Sequence, residues 1–416
     1  MRAKLLTIGD EILIGQIINS NAAFIGEKMY SIGIPVEKMV SIGDTEQALI
    51  EELDDSMRHF DVTLITGGLG PTHDDITKPV MVRYFNDELV LNEAILEHVK
   101  SFFEIRNIPM PEVNRGQAEV LKYGDYIQNS LGTAPGLWKE LFGKIFVAMP
   151  GVPYEMKAMM KNTVLPKLKT YFTPQMHYVM KQKTLLTTGI GESTLSEMLG
   201  NINDIIDEDS RLAFLPSPDG VRMRINVVKA NDEDADVDLM NIERKIREKT
   251  GKFIFGEGEQ TIEEITGNLL IGKKLKLALA ESCTGGLISS RITDIAGSSE
   301  YFEGGICTYS YDSKVKHLEV KKKTLKKYGA VSEKVAMQMA KGVRKKFKTD
   351  IGISATGIAG PGGATPDKPV GMVWIGYSDK EKTYAKKFLF GNSREVNKRR
   401  SSQAAIEILR QEVINK

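Results

Sequence analysis

Cysteine and histidine are scarce in this chain of 416 residues, and no long apolar run occurs. Two cysteines, Cys283 and Cys307, exclude a disulfide framework and fit a reducing compartment. The five histidines are scattered, and none shares a zinc-site spacing with a cysteine. No apolar run could cross a bilayer, and the first residues show no signal-peptide pattern. We therefore expect a cytoplasmic protein without membrane contact.

The composition is that of a globular protein, with 41% hydrophobic and 27% charged residues. The length predicts two or three domains. Charge is unevenly distributed: residues 261–416 contain 28 Lys+Arg against 16 Asp+Glu, and the first 260 contain 28 against 39. This asymmetry indicates two separately built halves. The basic residues follow helical faces, which favours a solvated surface over a nucleic-acid interface.

The N-terminal part alternates strand and helix patterns. Ala3–Ile8 and Val62–Thr66 read as buried strands, and Ile12–Tyr30 and Glu46–Phe60 have helical spacing. This alternation predicts a parallel α/β sheet, whose ligand-binding loops lie at the carboxyl ends of the strands. These loops are Gly9–Glu11, Asp44 and Gly67–Asp75.

The loop Gly67–Asp75 has neither a Walker nor a dinucleotide spacing, but its residue types suit a phosphate. Backbone N–H groups around glycines can hold phosphate oxygens, and two successive carboxylates can hold a divalent cation. An ordinary turn with an Asp cap on the next helix is the alternative. The candidate phosphate-binding residues are Gly67, Gly68, Gly70 and Thr72, and the candidate metal ligands are Asp44, Asp74 and Asp75.

Asp44, the glycine loop, Asp75 and Thr77 resemble the molybdopterin-binding fold shared by MoaB and MogA. The longer string from Gly67 to Thr77, with Pro150–Pro153, resembles the N-terminal domain of the CinA family. That resemblance implies a divalent-metal-dependent pyrophosphatase acting on ADP-ribose, with the metal unidentified. Molybdopterin handling, which rests on the fold alone, remains an alternative.

The strand and helix patterns of residues 171–256 predict a small α+β domain. Met180–Thr188 is extended, and Val221–Val228 alternates apolar and polar residues after a hairpin signature. An exposed edge of the second strand could pair across a two-fold axis, so we expect a homodimer. Gly251–Gln260 is the candidate linker to the basic half.

In the basic half, the strand pattern Leu275–Ala280 runs into Glu281–Gly286, and a helix pattern follows over Leu287–Ile292. A nucleophile on such a turn would lie beside the free N–H groups of the helix start. The alternative is a structural helix start capped by Ser282 or Thr284. Two more strand patterns, Ile306–Tyr309 and Ile351–Ala355, also end in loops of small residues.

These strings resemble the C-terminal domain of the CinA family, which also occurs alone as PncC. The resemblance covers nearly all of residues 261–416 and implies hydrolysis of nicotinamide mononucleotide (NMN) to nicotinate mononucleotide and ammonia, without a cofactor. The Ser–Lys dyad of the family falls on Ser282 and Lys314. Cys283 is the rival nucleophile. We predict that partial burial and a neighbouring positive group lower the pKa of Lys314.

The rest of the predicted site binds the substrate. Backbone N–H groups of Thr284, Gly285 and Gly286 are the predicted oxyanion donors. For the ribose phosphate, Arg394 and Arg399 are alternatives to Arg400. The predicted ribose-phosphate residues are Tyr309, Gly357, Gly360 and Arg400.

The sequence therefore predicts two α/β domains with largely parallel sheets, residues 1–170 and 257–416, joined by the small domain 171–256. The predicted function is a bifunctional hydrolase of pyridine nucleotide recycling, with NMN and ADP-ribose as small-molecule partners. A non-catalytic ligand-binding protein, or an accessory protein of competence or DNA damage, is the alternative from another class.

Overall fold

The computed structural model describes residues 1–72 and 74–416 and divides into two compact units. The first contains Met1–Lys181 and Val228–Ala235, and the second contains Gln182–Val227 and Asp236–Lys416. Each unit has its own hydrophobic core. Within the described residues, no helix combines the length and the apolar character of a membrane span.

The first unit is built around a six-stranded sheet, accompanied by a separate pair of short strands. The strands are β1 (Ala3–Ile8), β2 (Val36–Ile42), β3 (Val62–Thr66), β4 (Leu89–Leu91), β5 (Glu119–Leu121), β6 (Asp125–Ile127), β7 (Gly136–Leu141) and β8 (Lys144–Met149). The order is β2-β1-β3-β8-β7-β6, parallel from β2 to β8 and antiparallel over β7 and β6. β1 and β3 are buried throughout, as expected of central parallel strands covered on both faces.

Helices follow the strands as the α/β class predicts, and one prediction is wrong. The helices are α1 (Asp10–Leu13), α2 (Ser20–Ser31), α3 (Glu46–His59), α4 (Thr77–Tyr84), α5 (Glu93–Glu104), α6 (Pro153–Met159) and α7 (Leu165–Phe172). The predicted helix Ile12–Tyr30 is interrupted. Gly15 has a φ of 75°, and Asn19 starts α2 afresh by accepting a hydrogen bond from Ala22 N–H at 2.9 Å.

The segment after the first domain forms a four-stranded sheet with two helices. Its elements are β9 (Val179–Thr187), α8 (Glu192–Leu199), β10 (Ser210–Ser217), β11 (Gly220–Lys229), α9 (Asp232–Thr250) and β12 (Ile254–Glu257). The sheet order is β10-β11-β9-β12. The strand expected to pair across a two-fold axis is β11, and it is not an edge, because it lies between β10 and β9 in the sheet and pairs with β10 over residues 220–227. That route to a dimer is wrong, and dimerisation itself stays a prediction. The linker Gly251–Gln260 contains β12, which pairs with β9.

The C-terminal domain has a five-stranded sheet in the order β14-β13-β15-β16-β17, parallel over β14, β13 and β15 and antiparallel over β16 and β17. The strands are β13 (Leu277–Glu281), β14 (Phe302–Cys307), β15 (Ile351–Gly357), β16 (Met372–Ser378) and β17 (Thr383–Leu389). The helices are α10 (Ile262–Gly272), α11 (Leu287–Thr293), α12 (Tyr311–Leu318), α13 (Lys322–Tyr328), α14 (Glu333–Phe347) and α15 (Arg394–Ile414). This arrangement confirms the predicted α/β class.

Side-chain alternation along β13 joins the sheet to helices on both faces. Leu277 and Leu279 pack with residues of α10, α11 and α15, whereas Ala278 and Ala280 pack with residues of α12, α13 and α14. The parallel register sets Glu281 beside Cys307 on one side and Ala355 on the other. The loops that follow β13, β14 and β15 therefore leave the sheet at one edge.

Candidate active site

Ser282 and Lys314 are brought together at this edge of the sheet. Ser282 follows the last residue of β13, and Lys314 lies in α12, whose start is capped by Ser310. Lys314 Nζ is 2.9 Å from Ser282 Oγ and donates to the Thr308 carbonyl oxygen at 2.6 Å. Ser282 is 8% exposed and Lys314 is 1% exposed. The structure thus builds a buried serine–lysine contact from two segments 32 residues apart.

Burial lowers the pKa of Lys314 to about 8 from an ordinary value of 10.5. The only other influences, the Cys283 and Cys307 thiols, act in the opposite direction. The predicted neighbouring positive group is therefore not a cause of the shift, and burial alone accounts for its direction. Because the pKa is near 8, about a tenth of the amine is neutral at pH 7 and able to accept a proton.

The Glu281 carboxylate, 1% exposed, occupies the start of α11. It satisfies the orphan donors that a helix start leaves, so the turn is rigid without a side-chain cap from Ser282 or Thr284. The structural alternative, in which one of these hydroxyls caps the helix, is wrong. The groups that donate to Glu281 are Gly286 N–H (3.0 Å), Ile288 N–H (3.1 Å), Ser289 N–H (2.8 Å) and the Ser289 hydroxyl (2.7 Å).

These contacts correct the predicted oxyanion donors. Gly286 N–H is used by Glu281, and Gly285 N–H donates to the Ser282 carbonyl oxygen at 3.0 Å. In the part of the chain that the structure describes, the N–H groups of Cys283 and Thr284 donate to no oxygen. The buried Thr284 hydroxyl has no hydrogen-bond partner either. Both N–H groups contact the Cys283 thiol, a weak acceptor, so the donors of the turn without an oxygen partner lie directly after Ser282.

Cys283, the rival nucleophile, lies in surroundings that keep its thiol unreactive. Its side chain is buried in the hydrophobic core that α10, α11 and α15 form with the sheet. Burial raises the pKa of the Cys283 thiol to about 12, so the thiol is protonated near neutral pH. A protonated thiol in an apolar core is inert.

The loop after β15 and the start of α15 form one rim of the site. Arg394 donates to the Gly360 carbonyl oxygen at 2.9 Å and to the Tyr309 hydroxyl at 2.9 Å. Asn397, fully buried, donates to the Ala359 carbonyl oxygen at 3.0 Å and thereby fixes the same loop. Two predicted substrate-binding residues, Tyr309 and Gly360, are thus joined through Arg394.

The other arginines are placed differently. Arg399 is bonded through both Nε and Nη2 to the Asp219 carboxylate, at 2.6 and 2.7 Å. Arg400 is exposed. Gly357 ends β15, where a Cβ would lie 2.6 Å from the Met372 carbonyl oxygen, so its role is backbone packing. Of the three candidate arginines, Arg394 is the one that contacts predicted site residues.

One residue at this rim was not predicted from the sequence. Lys398 Nζ lies 3.7 Å from the position that a Cβ on Gly285 would take, so it faces the nucleophile turn. It follows Arg394 by four residues on α15, and this spacing puts both cations on one helix face. The spacing was a usable signal, but the identity of the facing turn is tertiary information.

In the N-terminal domain, Asp44 accepts a hydrogen bond from Asp10 N–H at 3.0 Å. Burial raises the pKa of Asp44, and the negative charges of Asp10, Glu11 and Asp74 raise it further. Acidic side chains therefore concentrate at the carboxyl edge of β1 and β2. This is the edge on which the predicted ligand loops were expected.

Asp75 shapes the glycine loop. It accepts hydrogen bonds from Gly70 N–H at 2.7 Å, from Thr72 N–H at 2.9 Å and from the Thr72 hydroxyl. The Gly67 N–H also has an internal partner, the Met149 carbonyl oxygen at 3.0 Å. The alternative of an Asp cap on the next helix is wrong, because the start of α4 has no side-chain cap. The hydrogen bonds of Asp75 lie within the loop instead, and two of the predicted phosphate donors, Gly67 and Gly70, are already engaged.

The predicted metal ligands Asp44, Asp74 and Asp75 are not assembled around one point. Over residues 1–72 and 74–416, no group of three or more His, Cys, Asp or Glu side chains is arranged to hold a metal ion. His73, within the same string, lies outside the described residues. The donor set of the apo chain does not fit a preformed divalent-metal site.

Comparisons with known proteins cover all three segments. A family model described as "CinA C-terminal domain" matches residues 259–413, "Damage-inducible protein CinA KH domain" matches 182–256, and "Probable molybdopterin binding domain" matches 4–170.

The chain is 42% identical to a CinA-like protein of Chloroherpeton thalassium, over 99% of both chains. It is 41% identical to a CinA-like protein of Salinibacter ruber, over 98% of both. A crystal structure of CinA from Thermoplasma acidophilum, 30% identical, covers 40% of this chain and 97% of its own, with a TM-score of 0.37.

Proposed function

Because the chain belongs to the CinA family, we propose that its C-terminal domain hydrolyses the carboxamide of NMN to give nicotinate mononucleotide and ammonia. The observation that carries this proposal is the buried contact of 2.9 Å between Lys314 Nζ and Ser282 Oγ. Amide hydrolysis without a metal needs a nucleophile and a base for it. A serine beside a lysine of lowered pKa supplies both.

In the first step, neutral Lys314 takes the proton of the Ser282 hydroxyl as Oγ attacks the carboxamide carbon. The Thr308 carbonyl oxygen accepts an N–H of Lys314, which directs the amine towards Ser282 and stabilises the ammonium that forms. The oxyanion of the tetrahedral intermediate would be held by the N–H groups of Cys283 and Thr284, whose present partner is the weakly accepting Cys283 thiol.

The ammonium of Lys314 then gives its proton to the amide nitrogen. The C–N bond breaks, ammonia leaves, and Ser282 holds the nicotinoyl group as an ester. Water attacks this ester as Lys314 takes a proton from it. When the C–Oγ bond breaks, the proton returns to Ser282 and the product leaves as a carboxylic acid that ionises.

Ammonia release from NMN by the purified full chain tests the proposal, with Ser282→Ala as the matched inactive variant. We expect the wild type to release one ammonia per nicotinate mononucleotide formed. The Ser282→Ala variant should lose this activity while its circular dichroism spectrum stays unchanged. Absence of turnover in the wild type, with NMN bound, would instead favour the non-catalytic ligand-binding alternative.

We further propose that the N-terminal domain cleaves the pyrophosphate of ADP-ribose. The acidic cluster around Asp44 would repel a free pyrophosphate, so what it favours is a divalent cation that accompanies the pyrophosphate to the adjoining glycine loop. Since the described carboxylates form no metal site on their own, no step is assigned to a metal. Molybdopterin-related binding by the same loop is the competing function.

Separate assays of both activities test this second proposal. Asp44→Asn should abolish ADP-ribose cleavage in the presence of Mg²⁺ or Mn²⁺ and leave NMN hydrolysis unchanged, because its side chain belongs to the other compact unit. Asp75→Ala should also remove this activity, through the loop. Equal losses of both activities in a folded variant would contradict independent sites.

A further inference from the structure

Lys398 is a cation without a protein partner at the rim of the C-terminal site. It is half-buried on α15, and among the residues that the structure describes it makes no hydrogen bond or ion pair. Its amine faces Gly285, three residues after Ser282. The charge of Lys398 also reaches the Cys307 thiol, at the end of β14. Lys398 therefore lies over the same edge of the sheet as the dyad.

Two neighbouring cations of α15 have protein partners, whereas Lys398 has none among the described residues. Arg399 is neutralised by Asp219, and Arg394 is held by the Gly360 carbonyl oxygen and the Tyr309 hydroxyl. Because Lys398 is only half-buried, its ammonium stays open to solvent and can meet an incoming anion. Glu281, the carboxylate of the nucleophile turn, does not neutralise it, because it is engaged with the start of α11.

Burial accounts for the lowered pKa of Lys314, so Lys398 is not needed to explain the base. Its amine lies beside Gly285, three residues after the nucleophile, and this position suits a role in substrate binding. The ligand group must then be anionic and must extend from the reacting carboxamide towards α15.

We infer that Lys398, with Arg394 one helical turn before it, binds the phosphate monoester of the substrate and so selects mononucleotides over nucleosides. This inference rests on the proposed amide hydrolysis at Ser282. An i, i+4 pair of cations on one helix face spans about 5–6 Å between Cβ atoms, which suits a phosphate held between them. Lysine binds phosphate as a point charge, and Arg394 can add directional N–H donors.

The test compares NMN with nicotinamide riboside, which has the same carboxamide and no phosphate. For Lys398→Gln we expect kcat/KM for NMN to fall about 10- to 100-fold, mainly through KM, as for loss of one charge-assisted hydrogen bond. The kcat/KM for the riboside should change less than about threefold. Lys398→Arg should restore most of the activity on NMN, because the positive charge remains.

Lys341→Gln is the matched control, since it removes the same charge from an exposed position on α14. It should leave both substrates unchanged. Equal loss on NMN and riboside in Lys398→Gln, or no loss on NMN, would overturn the phosphate role.

Failure of the proposed reaction would be visible separately. If the wild type releases ammonia from neither amide, calorimetric titration with nicotinate mononucleotide and nicotinate riboside tests the phosphate site through binding alone. Weaker binding of the mononucleotide alone in Lys398→Gln would support the phosphate site without turnover, and unchanged binding of both would refute it.

Discussion

Lys139 and Lys314, buried lysines of different compact units, have opposite surroundings. Lys139, 6% exposed, lies 2.7 Å from the Asp87 carboxylate. Although burial opposes ionisation of Asp87, the hydrogen bond from Lys139 helps to hold the pKa of that carboxyl below its ordinary value. Lys314 has no carboxylate partner among the described residues and contacts a serine hydroxyl instead. The first arrangement is a buried ion pair, whereas the second favours loss of the proton from the Lys314 amine.

A third lysine shows that a lowered pKa does not by itself indicate catalysis. Burial lowers the pKa of Lys78 to about 8, the same value as for Lys314. Its amine donates to three carbonyl oxygens, those of Gly116 at 3.0 Å, Gln117 at 3.5 Å and Glu119 at 2.8 Å, and among the described residues it bonds to no hydroxyl. What distinguishes Lys314 is therefore its neighbour, a serine on a strand-to-helix turn.

The largest effect is expected for substitutions of Lys314. If it is the base, Lys314→Arg should be nearly as damaging as Lys314→Ala, with NMN turnover reduced about 10²- to 10⁴-fold. Arginine keeps the charge but does not give up a proton near neutral pH. Steady-state ammonia release measures the loss. A Lys314→Arg variant with most of its turnover would place Lys314 among the binding groups and remove the contrast with Lys139.

Stability should respond with opposite signs to the same substitution at the two lysines. Lys139→Met leaves Asp87 buried and unpaired, and we expect a loss of about 3–5 kcal/mol in the free energy of unfolding of the first unit. Lys314→Met replaces a buried amine that has no counterion, so the second unit should gain about 1–3 kcal/mol at neutral pH. Urea denaturation followed for each transition measures both.

The gain from Lys314→Met has a defined pH dependence. The folded-state pKa is about 8 and the ordinary value is 10.5, so the folded wild type carries its full penalty below pH 8. Between these two values the unfolded chain binds the additional proton, and wild-type stability rises with pH. The advantage of the methionine variant should therefore shrink from about pH 8 upwards. A constant advantage across this range would contradict the lowered pKa.

Ser282 was predictable because its signals are local: a buried strand, small hydroxylated residues and a helix start surround it. Lys314 was assigned through the resemblance to the CinA family, and the structure shows it in a capped helix just after the neighbouring strand. Parallel strands bring such loops to one edge, so α/β topology connects the two. The break at Gly15 was missed because apolar spacing continued across it.

The features that could not be predicted from the sequence are those that depend on which groups contact each other in the fold. Glu281 was read as a residue of the turn, and only the fold shows that it takes the N–H of Gly286. Lys398 became recognisable only once α15 was seen against Gly285. Likewise, β11 was read as a candidate edge because β10, which covers it, has little strand signal of its own.

A smaller effect concerns the pH profile of the wild-type reaction. Since Lys314 must be neutral, kcat/KM should rise with pH and level off above about 8. Between about pH 6.5 and 8 the neutral fraction grows about 15-fold, in a range above the second phosphate ionisation near ~6. The initial rate with NMN, measured in buffers of constant ionic strength, gives the midpoint. A flat profile would mean that an uncharged lysine is not required.

The smallest effect is expected for substitution of Cys283, and it tests the contrast between the Lys314 amine and the Cys283 thiol in one site. The burial that lowers the pKa of Lys314 raises that of the Cys283 thiol, so one group is made ready to accept a proton and the other to retain one. Cys283→Ala removes a sulfur from a packed core and should cost about 1 kcal/mol of stability. Its kcat should stay within about threefold of wild type, whereas Ser282→Ala should be inactive. Burst kinetics and mass spectrometry of quenched turnover locate the acyl group. An acyl group on the cysteine, or equal inactivation of the two variants, would transfer the nucleophile to Cys283.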